Sequence, residues 1–378
     1  MGKFTSRRPY WCGEVWGIAV LTFLVPICSI FGQVVDEQKV SHSTFPIKTP
    51  RLYDEHVDRK VSLSLVAVGD VMMGGSALPV IRKKGIDYPF HLTRAILRTA
   101  DISFANLEAP FTLSGRPFDK TFTFRVPPEY AEGLDRAGFD VLTLANNHTL
   151  DYGPEGLCST LEVLDRLGIA FCGVGRNVEE AERGVILERG GWRIGFLAFS
   201  LTYPSAFWAT LQKCGTAYPH LDRLKKTLRR MREEVDVVVV SFHWGGELKT
   251  YPKSYQRYYA HRAVEWGADL VVGHHPHVIQ GLEIYRDRLI AYSLGNFVFG
   301  SYSLNARESI ILRTRFDRKG FLLAEVIPIS VFNLDVHFQP RVLEGSSRKR
   351  VVHTLNDISR NLNGGNEIVS ESGLIVSD

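Results

Sequence analysis

The chain has 378 residues, 45% apolar and 23% charged, with 33 glycines and 17 prolines. That is an ordinary globular composition, and it excludes collagen-like, coiled-coil and wholly disordered chains. Lys and Arg number 45 against 41 Asp and Glu, too mild an excess for the concentrated basic face of a nucleic-acid binder, so no nucleic-acid partner is expected.

The chain begins with Lys3, Arg7 and Arg8, followed by an uncharged stretch from Val15 to Val35. Its length just reaches the about 20 residues that span a hydrocarbon core. The same pattern fits a secretory signal peptide, so residues 1–36 are read as a signal peptide or a membrane anchor. A lipoprotein signal fits less well, because Ile27 precedes Cys28 where a small residue is wanted. In either leading reading the basic residues stay cytoplasmic. The expected location is the cell membrane, crossed once, with the main domain extracytoplasmic, or secreted if the segment is cleaved. Five cysteines without a Cys-x-x-Cys pair exclude zinc ribbons and thioredoxin-type redox centres. Beyond the membrane, Cys158, Cys172 and Cys214 meet an oxidising compartment, and a Cys158–Cys172 bridge is one option among three thiols.

Residues 37–60 are polar and lack sustained periodicity, and are read as a linker. From 61 onward short apolar runs alternate with helical patterns. LSLVAVG (63–69), ISFANL (102–107), DVLTLA (140–145), RIGFLAFS (193–200), VDVVVVSF (235–242) and ADLVVG (268–273) predict buried strands, several of them covered on both faces. Segment 154–167, entered by Pro154, predicts a helix, as do 221–235 and 253–266. In 221–235, Leu221, Leu224, Leu228, Met231 and Val235 recur at helical spacing; its six basic residues read as a solvated face. After 285 the pattern turns strand-rich. Residues 61–335 are therefore expected to form one α/β layered domain, and residues 336–378, polar and then Asn/Gly-rich, a C-terminal tail.

Polar residues gather where the buried strands end. Asp70 closes the first, Asn106-Leu107-Glu108 the second, and Asn146-Asn147-His148 the third. His243-Trp244-Gly245 follows VVVVSF, and His274-His275-Pro276-His277 follows ADLVVG. Ligands in open α/β sheets bind outside the carboxyl ends of strands. Five of the chain's 12 histidines fall at such ends. Oxygen and imidazole donors without thiolate suit manganese, iron or zinc. Asp70, Glu108, Asn147, His243, His275 and His277 would supply enough donors for two divalent ions about 3.5–4 Å apart, with Glu108 or Asp70 as the bridge. On an extended backbone His275 and His277 would face the same way. His148 is the candidate acid. Asn106, Trp244 and Arg125 are the candidate substrate contacts, with Tyr152 and Tyr251 nearby.

These residues lie in VAVGDVMMG, FANLEAPFT, LTLANNHTLDYGPEGL, SFHWGGE, GADLVVGHHPHVIQGLE and YSLGNFVF. In that set and order the chain resembles the capsule synthesis protein CapA family, accessory proteins of poly-γ-glutamate capsule formation. That family resembles a branch of the calcineurin-like metallophosphatase superfamily. The resemblance implies an α-β-β-α sandwich of the metallophosphatase type, preceded here by an N-terminal hydrophobic helix. It implies that Asp70, Asn147, His243, His275 and His277 are metal ligands and that Glu108 stands where a bridging carboxylate would be. It also implies that His148 assists a leaving group; His274 falls outside the ligand set, and Asn296 belongs to the pattern without an assigned role. Two motifs depart from the superfamily: Asp70-Val71-Met72 lacks the histidine of Asp-x-His, and Asn-Leu-Glu replaces Gly-Asp-x-x-Asp. The implied partner is an anionic capsule polymer or its synthesis and export machinery. Three functions remain open: an accessory protein that organises polymer, a phosphoesterase, and a γ-glutamyl amide hydrolase or transferase.

Overall fold

The computed structural model describes residues 62–376. The expected anchor or signal peptide and the linker lie outside the described residues. Among the described residues no helix is long and apolar enough to cross a membrane.

Two large sheets form the centre. The first runs Arg341–Val342, Gly320–Ser330, Glu308–Asp317, Leu63–Val71, Ile102–Leu107, Val141–Thr143, Ala170–Cys172. From Leu63–Val71 to Ala170–Cys172 its neighbours are parallel, and Glu308–Asp317 pairs antiparallel to Leu63–Val71. The second runs Leu282–Tyr285, Arg288–Ala291, Leu270–His274, Val237–His243, Trp192–Ser200, Val185–Arg189. Its four inner strands are parallel, and antiparallel strands close both edges.

Side chains alternate across each strand, and this sorts the apolar residues into three cores. Leu65, Ala67, Ile102 and Phe104 of the first sheet meet Ile194, Phe196, Val237, Val239 and Leu270 of the second in the inter-sheet core. Val66, Val68, Ala105 and Leu142 point the other way. They pack on helices Ala77–Lys84, Glu132–Ala137 and Gly153–Leu167. Val238, Val240 and Phe242 pack outward on helices Leu221–Glu234 and Ser254–Glu265. The order of layers is thus helices, sheet, sheet, helices. Strands covered on both faces are apolar without interruption, as VVVV at 237–240 shows.

The sequence reading of a C-terminal tail is corrected here. Residues Gly345–Ser359 form a helix whose Val351, Val352, Leu355 and Ile358 enter the inter-sheet core. Leu374–Val376 adds a strand to Gly320–Ser330. The apolar positions recur at helical spacing, but the many charged and amide residues between them mask the stripe. Cys158, Cys172 and Cys214 are free thiols, so the Cys158–Cys172 bridge is not formed. The basic helix face is solvated and partly ion-paired, with Arg223 on Glu182 at 2.8 Å and Arg232 on Asp269 at 2.5 Å.

Both sheets end their parallel strands toward one place. Two glycines allow the close approach. A Cβ at Gly69 would lie 1.9 Å from the Gly295 carbonyl oxygen, and one at Gly273 1.9 Å from that of Tyr292. Without side chains there, Asn296–Val298 lies directly beside Asp70, in register Asp70↔Asn296.

Candidate metal centre

Asp70 and Glu108 are fully buried at neighbouring strand ends of the first sheet. His243 and His274 end two adjacent strands of the second, in register with each other. Between them lies Asn106. Its amide donates to Asp70 Oδ1 at 2.9 Å and to Glu108 Oε2 at 3.2 Å, and lies 3.4 Å from His243 Nδ1. Asn106 itself is fixed by Asn146, whose amide donates to Asn106 Oδ1 at 3.1 Å. The side chain expected to touch substrate is therefore buried and holds the others in place.

The histidines close around the carboxylates. His277 Nδ1 lies 3.1 Å from Asp70 Oδ2, and its Nε2 3.8 Å from Glu108 Oε1. His243 Nε2 lies 3.5 Å from Glu108 Oε1 and 2.7 Å from Asn147 Oδ1. The His275 ring centroid is 4.8 Å from that of His243 and 5.9 Å from that of His277. The expected extended His-x-His backbone is not what brings these rings together: His275 and His277 have φ of +94° and +59°. Such backbone is costly for non-glycine residues, on the order of 1–3 kcal/mol each, and is typical of constrained functional loops. His274 lies 3.3 Å from Asp70 Oδ1, against Phe104 edge-on.

Three groups of donors each bring their ligand atoms within 4.8 Å of one another: Glu108, His243 and His275; Asp70, Glu108 and His277; and Glu247, His275 and His277. The first two share Glu108. The unbonded polar atoms point to a missing positive partner. Glu108 Oε1 and His275 Nδ1 are buried without a hydrogen bond, and buried polar atoms are normally paired. Protonation states agree with this. Burial, aided by the Asp70 charge, pushes the Glu108 carboxyl well above its usual value. Burial would raise Asp70 too, but His274 and His277 outweigh it and hold that carboxyl well below the usual range. Burial lowers His243 well below the imidazole range, and burial with the neighbouring His277 lowers His275 to about 3. Neutral imidazoles keep the lone pairs that a cation needs. The donor set and the unpaired atoms therefore fit a divalent ion.

His148 stands beside this group on a separate frame. Its Nδ1 lies 2.7 Å from Asp151 Oδ2 and 3.1 Å from Lys120 Nζ. Lys120 also pairs with Asp151 Oδ1 at 2.5 Å and donates to the Asn147 carbonyl at 2.5 Å. Phe124 packs on the ring at 4.7 Å. Burial lowers the His148 pKa against the pull of Asp151. Sequence reasoning missed Asp151, Lys120 and Glu247. The three-residue spacing from His148 to Asp151 inside NNHTLD was a usable sign; nothing local marks the other two.

Two expected substrate contacts are corrected. Trp244 is fully buried. It stacks on Phe242 at 4.6 Å and donates from Nε1 to the Tyr292 carbonyl at 2.9 Å, so it is a core residue behind the second sheet. Arg125 is exposed and lies over the Tyr152 ring at 4.8 Å, a surface pair. Trp244→Phe is accordingly expected to lower stability by about 1–3 kcal/mol, the cost of an unpaired buried carbonyl, without changing metal content. Denaturant unfolding and elemental analysis of the same sample check both halves.

Two apposed sheets with carboxylates and imidazoles converging at their strand ends define a layered α/β protein with a candidate divalent-metal centre. The profile of the family described as "Bacterial capsule synthesis protein PGA_cap" matches residues 64–301, and the chain belongs to that family. It is 32% identical to the PGA biosynthesis protein CapA of Bacillus subtilis (strain 168), over 71% of this chain and 72% of that one. It is 31% identical to the capsule biosynthesis protein CapA of Bacillus anthracis, over 71% and 67%. Among solved structures it is similar to the 5'-nucleotidase precursor from Thermus thermophilus, with a TM-score of 0.42 and 14% identity over 75% of this chain and 54% of that one.

Proposed function

We propose that this chain is an extracytoplasmic accessory protein of capsule-polymer synthesis or export. It handles poly-γ-glutamate, or a similar anionic polymer, at a divalent-metal hydrolase-type centre. The observation that carries the reading is the pair of donor groups joined through Glu108. Asp70, Glu108, Asn147, His243, His275 and His277 are the residues that would hold the metal. The names of the Bacillus relatives supply the polymer. The basic start and the apolar run at 15–35 supply the location.

When bound, such ions lower the pKa of a coordinated water and polarise a substrate oxygen. The protein's own groups do the rest. Asn106 fixes both carboxylates. Asp151 accepts the Nδ1 proton of His148, which leaves Nε2 as the atom that exchanges a proton with the reacting group. Lys120 neutralises Asp151, so His148 stays neutral until it is needed.

The test is metal-dependent turnover by the full chain, offered a γ-glutamyl oligomer and a generic phosphodiester. Release of shorter glutamate oligomers supports the reading. Turnover of the phosphodiester alone would replace it with a phosphoesterase. Polymer binding without turnover of either would leave an organising role, and absence of both metal and polymer binding would end the proposal.

A further inference from the structure

The third donor group lies at the mouth of the centre. Glu247 is exposed, whereas the other carboxylates of the cluster are fully buried. Its ligand atom and one from each of His275 and His277 lie within 4.8 Å of one another. Among the described residues no ion pair holds this carboxylate. An exposed glutamate without a partner loses side-chain entropy by staying in one place, so its approach to two imidazoles needs a cause.

The backbone supplies the placement. The Leu248 amide donates to the Pro276 carbonyl at 2.8 Å, which ties the Glu247 loop to the strained histidine loop. Two fully buried glutamines anchor the far side. Gln280 donates to the Lys249 carbonyl at 2.7 Å and accepts from Gln256 at 2.9 Å. The Gly245 amide donates to the Tyr255 hydroxyl at 2.7 Å. Glu247 is thus carried on a loop bonded at both ends, as the supporting shell of a ligand must be. The independent pointer is His275, whose Nδ1 is buried and has no hydrogen-bond partner.

We propose that Glu247 is a metal ligand that, with His275 and His277, holds a divalent cation at an outer position distinct from the inner ones built on Glu108. This rests on the metal centre proposed above. The outer ion shares both histidines with the inner positions, and one of its donors is solvated. It is therefore held more weakly, and it suits loading of the centre from solution. Three neutral or singly charged donors at the mouth also present an open cation to the carboxylates of an incoming anionic polymer.

The experiment is calorimetric titration of the chelator-stripped full chain with Mn²⁺ and Zn²⁺, backed by elemental analysis after gel filtration. Wild type is compared with Glu247→Gln and Glu108→Gln. Gln keeps the shape of an exposed side chain, and unchanged melting of the metal-free protein confirms the fold. In Glu247→Gln the weak class is expected to weaken by at least about tenfold, since even outer-shell partners contribute that much to metal affinity, while the tight class persists. In Glu108→Gln the reverse is expected. A Glu247→Gln titration that superimposes on wild type would overturn the proposal and leave the inner centre standing. Loss of both classes in Glu247→Gln would also overturn it, by showing one centre rather than two positions. A wild type that takes up no metal would sink the centre itself, and the outer position with it.

Discussion

Replacing Glu108 with Gln is expected to remove the tightly held metal and, at the same time, to make the metal-free protein more stable. Both effects have one cause. Glu108 is fully buried, one of its oxygens has no hydrogen-bond partner, and Asp70 lies beside it. In the metal-free protein its carboxyl is held above the usual value by burial and by Asp70. The native state therefore keeps a proton that the unfolded chain has released. Stability of the metal-free protein must fall as pH rises from the usual glutamate value toward the raised native one. Gln carries no charge, so it cancels that fall. A cation reverses the balance by taking the proton's place, because both inner donor groups use Glu108. The metal content surviving gel filtration should drop from stoichiometric to near zero. At neutral pH with chelator, the variant should exceed wild type by about 1–3 kcal/mol, the usual cost of an unsatisfied buried group. Melting with and without chelator at pH 5 and pH 8, beside elemental analysis, measures both. A variant that keeps wild-type metal would show that Glu108 is no bridge.

How far this centre could be seen in the sequence depends on where each residue stands. Asp70, Glu108, Asn147 and His243 follow apolar runs that fold as buried strands. A polar residue at such an end has few places to point, so topology and site are legible together. The strand Ile102–Leu107 and the helix Gly153–Leu167 fall where the periodicity puts them to within one residue. What fails is orientation and long-range contact. Trp244 follows His243 directly, yet alternation turns it to the opposite face, into the helix layer. His275 and His277 meet through left-handed backbone, which side-chain periodicity does not encode. Lys120 reaches His148 across 28 residues, and Glu247 reaches His277 across a turn fixed by buried glutamines. Those contacts are made by the packing of loops, and no local pattern announces them. The C-terminal helix was obscured for another reason. Its four buried apolar residues are diluted by polar ones, because only its inner edge is covered.

His148→Ala is expected to reduce turnover by about 10²–10⁴-fold, the usual worth of a positioned acid or base, without loss of metal. The two frames explain the separation. None of the three donor groups includes His148; it is held instead by Asp151 at 2.7 Å and packed by Phe124. Removing it leaves Asn106 and every ligand contact in place. A group that acts only as charge develops lowers kcat and spares KM, whereas one that binds the resting substrate raises KM. The expected signature is thus a fall in kcat at constant KM and constant metal content, on whichever polymer or ester the wild type turns over. Asp151→Asn tests the positioning side of the argument. It would leave the imidazole present but free to adopt the other tautomer, and Lys120 would lose the carboxylate it neutralises at 2.5 Å. A smaller kcat loss, about 10–100-fold as for other supporting partners, is expected there. Wild-type kcat in both variants would take His148 out of the chemistry and leave the cations with only a binding role.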